Sequence, residues 1–393
     1  MLLTETVPAA PPVGTVPPRR RPDIQGLRAV AVLAVVLYHA AGLVPGGFVG
    51  VDVFFVVSGF VITGLLTREL AATGRIRLAG FYLRRARRLL PAYALLSLIT
   101  LAGAALLLSP VGGGQQAAGR AAAYASAFAG NVYFYIFSGA YFQPVAESNP
   151  FLHTWSLSVE EQFYLAFPAL LLLGWWLRRR WRGGWLPGLL AAALLLSLAA
   201  SVCLSYGRAP HWPGIDSAEH AARLAFYSPL TRAWEFLAGA LLAVAPARYR
   251  PRPGAARLLS VAGAGLLAAA VVLLRPDDPV PGILAAVPVA ATGCLLLAGN
   301  AARPAMVSRV LSSAPAVRLG DLSYSWYLWH WPAIVFARTW YPGRTWVPLA
   351  AALAAMVPAV LSYHLIERPI HRGRRLPSRR ATVLLAAGCV ALP

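Results

Sequence analysis

Long apolar runs separated by short arginine-containing segments dominate the chain. Several runs exceed the ~18 apolar residues that a helix needs to cross ~30 Å of hydrocarbon. The pattern therefore predicts an all-α fold, a polytopic integral membrane bundle of about ten transmembrane helices. The predicted spans cover residues 27–44, 48–67, 91–109, 155–177, 186–205, 229–246, 258–274, 281–300, 322–339 and 346–366.

Arginine clusters between pairs of these runs define the predicted cytoplasmic side, because orientation follows the basic residues of short loops. Between successive clusters the chain must cross an even number of times, which places both ends of the bundle inside. We therefore expect a multi-pass protein of the plasma membrane with a cytoplasmic N-terminus. Residues 1–22 are rich in proline and have no apolar core, so they predict a disordered cytoplasmic tail and not a cleaved signal peptide.

Three further segments lie outside this count. Residues 121–138 are apolar, but a full crossing would place the Arg178–Arg182 cluster outside, so we expect a re-entrant or interfacial helix that covers a site on the outer side. Residues 76–90 alternate arginine with aromatic residues and leucine, as interfacial amphipathic helices do. After the membrane domain (23–370), residues 371–393 predict a basic linker and the start of an incomplete eleventh span.

Composition agrees with a membrane protein, since 58% of the 393 residues are hydrophobic and 12% are charged, against about 25% charged residues in soluble domains. The net charge is +21, and all 35 basic residues are arginine. Their position in short loops favours the positive-inside rule over nucleic-acid binding. The three cysteines, Cys203, Cys294 and Cys389, lie far apart, so we expect no disulfide framework and no metal site.

Arg28 and His39 lie within one otherwise apolar run that forms the first predicted span. Ionisable groups inside a span cost roughly 2.5–3.5 kcal/mol on insertion scales, so they are functional candidates. Eleven residues of α-helix rise ~16 Å and bring the second side chain to within about 20° of the first. We therefore expect both side chains to face the same way from opposite leaflets, a cation near one surface and a proton-handling nitrogen near the other.

Asp52 lies just inside the outer surface at the start of the second span, at a depth close to that of His39. A carboxylate beside the imidazole would fix its tautomer, so we predict a functional His39–Asp52 pair. The alternative is that Asp52 caps the helix after a glycine-rich turn.

A polar segment, residues 149–164, leads into the fourth span. Glu160 and Glu161 point about 100° apart on a helix, and we expect one of them to line a polar interior. The alternative is that they only gain from the dipole at the helix N-terminus. His153 is a second acid/base candidate or an interfacial residue, and Tyr164 is a candidate supporting residue.

Polar residues recur in later spans. Arg232 and Glu235, three residues apart, are most simply an internal salt bridge. His330 lies among aromatic residues in the ninth span, where a buried core histidine and a ligand-binding one are equally expected. Glu367 and Arg368 lie where a cytoplasmic ligand would enter, although helix termination before a proline also explains them.

Five sequence motifs resemble the acyltransferase-3 family of membrane acyltransferases. They occur in the family's order over residues 23–370: DIQGLRAVAVLAVVLYH, GFVGVDVFFVVSGFVIT, NPFLHTWSLSVEEQFYL, SYSWYLWHWP and LIERPI. By this resemblance, Arg28 and His39 correspond to the family's essential arginine–histidine pair. Asp52 and Glu161 fall in its other polar motifs.

The resemblance implies transfer of an acyl group, usually acetyl, from cytoplasmic acyl-CoA to a carbohydrate acceptor at the outer face, such as O-antigen or peptidoglycan. Arginines are expected to bind the phosphates of acyl-CoA through bidentate hydrogen bonds. His39 is expected to act as general base or transient acyl carrier, and Asp52 and Glu161 are the other predicted catalytic residues. The predicted phosphate-binding arginines are Arg28, Arg84, Arg85 and Arg88.

The expected partners are the lipid bilayer, acyl-CoA and the carbohydrate acceptor, without a metal cofactor. Many family members continue through an eleventh span into an SGNH-type esterase-fold domain, so such a domain or protein is a further expected partner. Two alternatives stay open, a membrane transporter of a lipid-linked sugar or small solute and an enzyme that acylates a small secondary metabolite.

Overall fold

The computed structural model describes residues 21–181, 184–208, 217–245, 250–371 and 379–391. Every regular element in these ranges is helical, and no β-strand occurs among them, which confirms the predicted all-α class. The α-helices are α1 (Pro22–Ala41), α2 (Gly50–Thr73), α3 (Leu78–Leu107), α4 (Gly114–Ser126), α5 (Gly130–Phe137), α6 (Pro144–Glu147), α7 (Thr154–Trp181), α8 (Trp185–Ser205), α9 (Ala218–Tyr227), α10 (Pro229–Val244), α11 (Pro253–Leu273), α12 (Ala286–Ala298), α13 (Met306–Leu311), α14 (Ala314–Trp340), α15 (Val347–Ala354), α16 (Met356–Ser362), α17 (Arg368–His371) and α18 (Arg379–Ala391). A 3₁₀ turn (Gly47–Val49) precedes α2, and a π-helical turn (Tyr363–Glu367) joins α16 to α17.

Seven helical stretches are long and apolar enough to cross a membrane, as in a multi-pass membrane protein. They are Pro22–Ala41, Gly47–Thr73, Leu78–Leu107, Thr154–Arg180, Trp185–Ser205, Pro253–Leu273 and Val347–His371. The other three predicted spans are also helical, but α10 has 16 residues and α12 has 13. The third, α14, has 27 residues but includes Arg318, Asp321 and Arg338. A count of ten spans therefore stays a prediction.

Two regions differ from the predicted division into helices. Residues 76–90 and the span 91–109 were predicted as separate helices, but 78–107 form one continuous α3 with Pro91 inside it. Segment 121–138 is not a single helix, because Phe128 adopts a φ of 54° between α4 and α5. Helix α7 stabilises this break, since Gln162 Nε2 donates to the Phe128 carbonyl at 2.7 Å.

The ends of the chain are described in part. Residues 1–20 of the predicted tail and 372–378 of the predicted linker lie outside the described residues. Helix α18 occupies the predicted start of the eleventh span. It packs on α3, where Cys389 contacts a small apolar cluster with Leu90 and Ala94.

The first helix lies inside the bundle, where α1 packs against α2 and α14, and α2 packs along α10. Glycines allow the close approach of α2 and α10. A Cβ on Gly59 would lie 2.9 Å from Phe236 Cα, and one on Gly239 would lie 2.8 Å from Phe60 N. Small residues at such contacts are typical of membrane helix pairs. This packing leaves the His39 side chain buried, with 6% exposed, so the imidazole does not face lipid.

Candidate active site

Two cavities lie along α1, one near each end. The Arg28 cavity, about 530 Å³, is lined by the charged residues Arg28, Arg88, Arg368 and Glu367 and also by Phe55, Ser156 and Tyr327, among others. The His39 pocket, about 20 Å³, is lined by His39, Asp52, Tyr141, Trp155 and Arg232, among others. Ligand sites typically measure roughly 300–1,000 Å³, so the Arg28 cavity has the size of a substrate site. The His39 pocket has room for about one water-sized group.

A thin layer of side chains separates the two cavities. Val51 lines both, while Phe55 lines the Arg28 cavity and Trp155 lines the His39 pocket. We call Val51, Phe55 and Trp155 the septum. Phe55 and Trp155 are each 2% exposed, and their ring centroids lie 6.4 Å apart. Arg28 and His39 therefore line separate cavities near opposite ends of α1, a division that their spacing did not predict, and a group passing between them must cross the septum.

His39 is held on three sides by polar contacts. Its Nδ1 lies 3.0 Å from His330 Nε2, and its Nε2 lies 2.9 Å from the Tyr141 hydroxyl. Arg338 Nη2 donates to the His39 carbonyl at 2.6 Å. Burial raises the pKa of Tyr141 well above its usual range, so its hydroxyl keeps a proton to donate. The imidazole is thus fixed in position by groups from two other parts of the chain, α14 and the loop after α5.

The predicted His39–Asp52 pair is wrong, because both imidazole nitrogens have other partners. Asp52 instead accepts a hydrogen bond from Arg232 Nη2 at 2.8 Å. Arg232 also pairs with Glu235 at 3.2 Å, as predicted from their spacing. Asp52 still lines the His39 pocket, so its contribution there is through the buried Asp52–Arg232–Glu235 cluster.

The two adjacent glutamates point to different surroundings, as the helix angle predicts. Glu160 lines the Arg28 cavity and accepts hydrogen bonds from Ser58 at 2.5 Å and Tyr164 at 2.8 Å. Glu161 forms an ion pair with Arg85, whose guanidinium lies 3.6 Å from the Tyr164 ring centroid. Glu161 lines neither of the two cavities along α1. Glu160 is therefore the glutamate that lines the Arg28 cavity, and the catalytic role of Glu161 stays a prediction.

The four predicted phosphate-binding arginines divide into two groups. Arg28, Arg85 and Arg88 line the Arg28 cavity, whereas the exposed Arg84 does not. The charge of Arg85 is paired with Glu161. Within the described part of the chain, Arg28 and Arg88 form no ion pair with a carboxylate, and the same holds for Arg368 at the same cavity. These three cations are available to an anionic ligand.

Other contacts near the two cavities were not predicted. Tyr141 lies in the loop after α5, and no local signal distinguishes it from the other tyrosines. Ser325 and Ser362 donate hydrogen bonds to Glu367, the latter at 3.2 Å, and so hold its carboxylate at the Arg28 cavity. His153 is fully buried with its ring centroid 5.8 Å from that of His330, but neither of its nitrogens has a hydrogen-bond partner among the described residues.

Comparison with known proteins agrees with these features. The model of the acyltransferase-3 family, described as an acyltransferase domain, matches residues 21–365. The chain belongs to this family. It is 34% identical to BcsY of Komagataeibacter xylinus, a candidate membrane-bound transacylase, over 96% of this chain and 90% of that protein. It is 30% identical to the peptidoglycan O-acetyltransferase OatA of Listeria monocytogenes over 89% of this chain and 56% of OatA. No solved structure matches the chain.

The acyltransferase-3 match includes the His39 pocket and most of the residues that line the Arg28 cavity, while Glu367 and Arg368 follow its last matched residue. The chain spans little more than half of the length of the OatA relatives, 58% in the case of OatA of Staphylococcus aureus. Within the matched region the family's histidine and arginine lie in different compartments of one bundle. The arrangement has a cavity lined by arginines near one end of α1 and a buried histidine near the other.

Proposed function

We propose that this acyltransferase transfers an acyl group, acetyl in the first instance, from cytoplasmic acyl-CoA to a hydroxyl of a cell-envelope carbohydrate at the outer face. Acyl-CoA binds in the Arg28 cavity, and His39 acts as general base on the acceptor hydroxyl or as transient acyl carrier. The proposal includes a cytoplasmic N-terminus, so that the Arg28 cavity opens to the inside.

The single observation that favours this function is the set of unpaired arginines in a cavity of about 530 Å³. Acyl-CoA has a polyanionic nucleotide end and a long, thin arm that ends in the thioester. Arg28, Arg88 and Arg368 offer planar donors that match phosphate oxygens. The cavity is also lined by aromatic side chains, among them Phe55 and Tyr327, which suit the thioester end of the arm.

The acceptor is proposed from the relatives, because OatA is named as a peptidoglycan O-acetyltransferase. The His39 pocket supports hydroxyl chemistry, since it places an imidazole nitrogen beside a hydroxyl oxygen at 2.9 Å. In its present size the pocket holds about one water-sized group, so one acceptor hydroxyl enters it, the acyl group reaches that hydroxyl across the septum, and the rest of the acceptor stays outside.

The first test is binding of radiolabelled acetyl-CoA to the purified full chain in detergent. Arg28→Ala is expected to weaken binding by about tenfold or more, because a charge-assisted hydrogen bond to phosphate contributes roughly 1.5–3 kcal/mol. Arg84→Ala is the matched control, since this arginine lies on the same basic stretch of α3 as Arg88 but does not line the cavity. It is expected to leave the Kd within about twofold.

The second test is transfer. His39→Ala is expected to abolish acyl transfer while leaving acetyl-CoA binding intact, because the imidazole lines the other compartment. Equal loss of binding in Arg28→Ala and Arg84→Ala would refute the donor site. Normal acceptor acylation by His39→Ala would refute the role of His39.

A further inference from the structure

We propose that His330 is a positioning residue for the transfer reaction, which fixes the tautomer of His39 so that the Nε2 lone pair faces the His39 pocket. This inference rests on the proposed function of His39 and adds the group that orients it. Its physical basis is a chain of hydrogen bonds from the Tyr327 carbonyl through His330 to His39.

The donor and acceptor roles in this series of hydrogen bonds follow from the contact between Tyr327 and His330. His330 Nδ1 lies 2.7 Å from the backbone carbonyl oxygen of Tyr327. A carbonyl oxygen only accepts, so Nδ1 of His330 holds a hydrogen. In a neutral imidazole the other nitrogen is then an acceptor, which makes Nε2 of His330 the acceptor for its neighbour at 3.0 Å.

His330 is best described as neutral. Its side chain is fully buried, and no carboxylate of the described residues forms an ion pair with it. An unpaired buried imidazolium would be strongly unfavourable. A protonated His330 would also leave His39 Nδ1 as an acceptor and free Nε2 to hold the hydrogen, the opposite arrangement.

The geometry of the two rings supports a direct N–H···N bond. The ring planes of His39 and His330 are 11° apart and their centroids are 5.3 Å apart, with the nitrogens 3.0 Å apart. Nearly parallel rings at that centroid separation are joined edge to edge and are not stacked face to face, which allows a straight hydrogen bond. His39 Nδ1 therefore donates to His330, and its Nε2 accepts from the Tyr141 hydroxyl.

The hydrogen bond to His330 therefore determines which nitrogen of His39 can accept a proton. A carboxylate performs this positioning in the serine hydrolase triad, where the wrong tautomer is strongly deleterious. Here the role belongs to a second imidazole anchored on a backbone carbonyl, and Asp52 has no part in it. When an acceptor hydroxyl takes the place of Tyr141 and His39 accepts its proton at Nε2, the Nδ1–H bond to His330 also stabilises the resulting cation.

The experiment uses the full chain and compares His330→Leu, His330→Gln and the control Ile334→Ala. Glutamine places an amide oxygen where it can accept from His39 Nδ1, whereas leucine cannot. Ile334 lies one turn further along α14 and is fully buried, so its truncation tests packing alone. We expect His330→Leu to lower kcat by about 100-fold with the KM for acetyl-CoA within about twofold. His330→Gln should recover kcat to within about tenfold of the unmodified protein.

A spectroscopic measurement keeps the inference testable if acetyl-CoA proves not to be the donor. Solid-state NMR of the ¹⁵N-histidine-labelled protein distinguishes the two tautomers, and the His39 signals are those lost in His39→Ala. We expect a protonated Nδ1 and an unprotonated Nε2, and a mixture of tautomers in His330→Leu. A protonated Nε2 in the unmodified protein would overturn the inference. So would a kcat of His330→Gln as low as that of His330→Leu, or a similar loss of kcat in Ile334→Ala.

Discussion

The contact of Gly59 with α10 gives the most direct test of the helix packing behind the site. An alanine Cβ at Gly59 would lie 2.7 Å from the Phe236 carbonyl carbon and 2.9 Å from its Cα, where ordinary contacts are 3.4–4 Å. These are backbone atoms, so no side-chain rotation relieves the overlap. We therefore expect Gly59→Ala to push α2 and α10 apart by about 1 Å at this point.

The expected loss of stability follows from the polar contact between α2 and α10. Asp52 of α2 and Arg232 of α10 are joined by a 2.8 Å hydrogen bond, two turns away from Gly59. A shift of about 1 Å would lengthen this bond beyond the usual 2.7–3.2 Å range. Overpacking costs typically about 1–3 kcal/mol, and weakening of a buried ion pair adds to that. We expect a total loss of roughly 3 kcal/mol or more in the free energy of unfolding.

The assay is thermal unfolding of the purified protein in one detergent, with Gly265→Ala as the matched control. Gly265 also lies within a helix, but a Cβ there meets no atom within 4 Å. Alanine is favoured over glycine in a helix interior by about 1 kcal/mol, so this control should unfold at the same or a higher temperature. If Gly59→Ala and Gly265→Ala unfold together, the close approach of α2 and α10 is not the source of stability that we describe.

Two further variants test the surroundings of His39. Arg232→Met leaves two buried carboxylates without their cation and should cost about 3–5 kcal/mol in the free energy of unfolding. Arg84→Met is the control and should cost little. Equal unfolding midpoints of the two variants would contradict a buried Asp52–Arg232–Glu235 cluster. Phe55→Ala should open the septum and let water from the His39 pocket reach a thioester held beside it in the Arg28 cavity, so release of CoA thiol without acceptor should rise. Phe163→Ala is the control, because it loses a similar ring that lines neither cavity. Equal rates of release in the two variants would show that the septum does not exclude water.

The helical class and the general position of most helices followed from hydrophobic runs, because a membrane span requires a continuous apolar length whatever its partners. The same criterion does not decide whether α10, α12 and α14 cross the membrane. Two of these helices are short, and α14 includes three charged residues. Their crossing depends on neighbours that bury the remaining polar backbone and charge, and a linear pattern contains no information about those neighbours.

Helix spacing also predicted the separation of Arg28 and His39 well, since both lie on one rigid helix. It predicted the internal pair of Arg232 and Glu235 for the same reason, because the two residues are three positions apart. The partner of Asp52 was missed because two polar residues at similar depth on neighbouring helices need not face each other. The rotation of α2 about its axis is set by its packing on α10 through Gly59, and this rotation turns Asp52 to Arg232.

The orientation of His39 is determined by residues that are far away in sequence and chemically unremarkable. His330 is 291 residues away and Tyr141 is 102 residues away, and each belongs to a segment with several aromatic neighbours. Burial alone would not select these two groups, since His153 is equally buried next to His330 and has no hydrogen-bond partner in the described part of the chain. These two groups are distinguished by the donor and acceptor roles of their hydrogen bonds. Nδ1 of His330 donates to a backbone carbonyl, which leaves only Nε2 to accept from His39. In an apolar interior these hydrogen bonds determine the orientation of the ring, because a buried polar atom that loses its protein partner cannot bond to water instead.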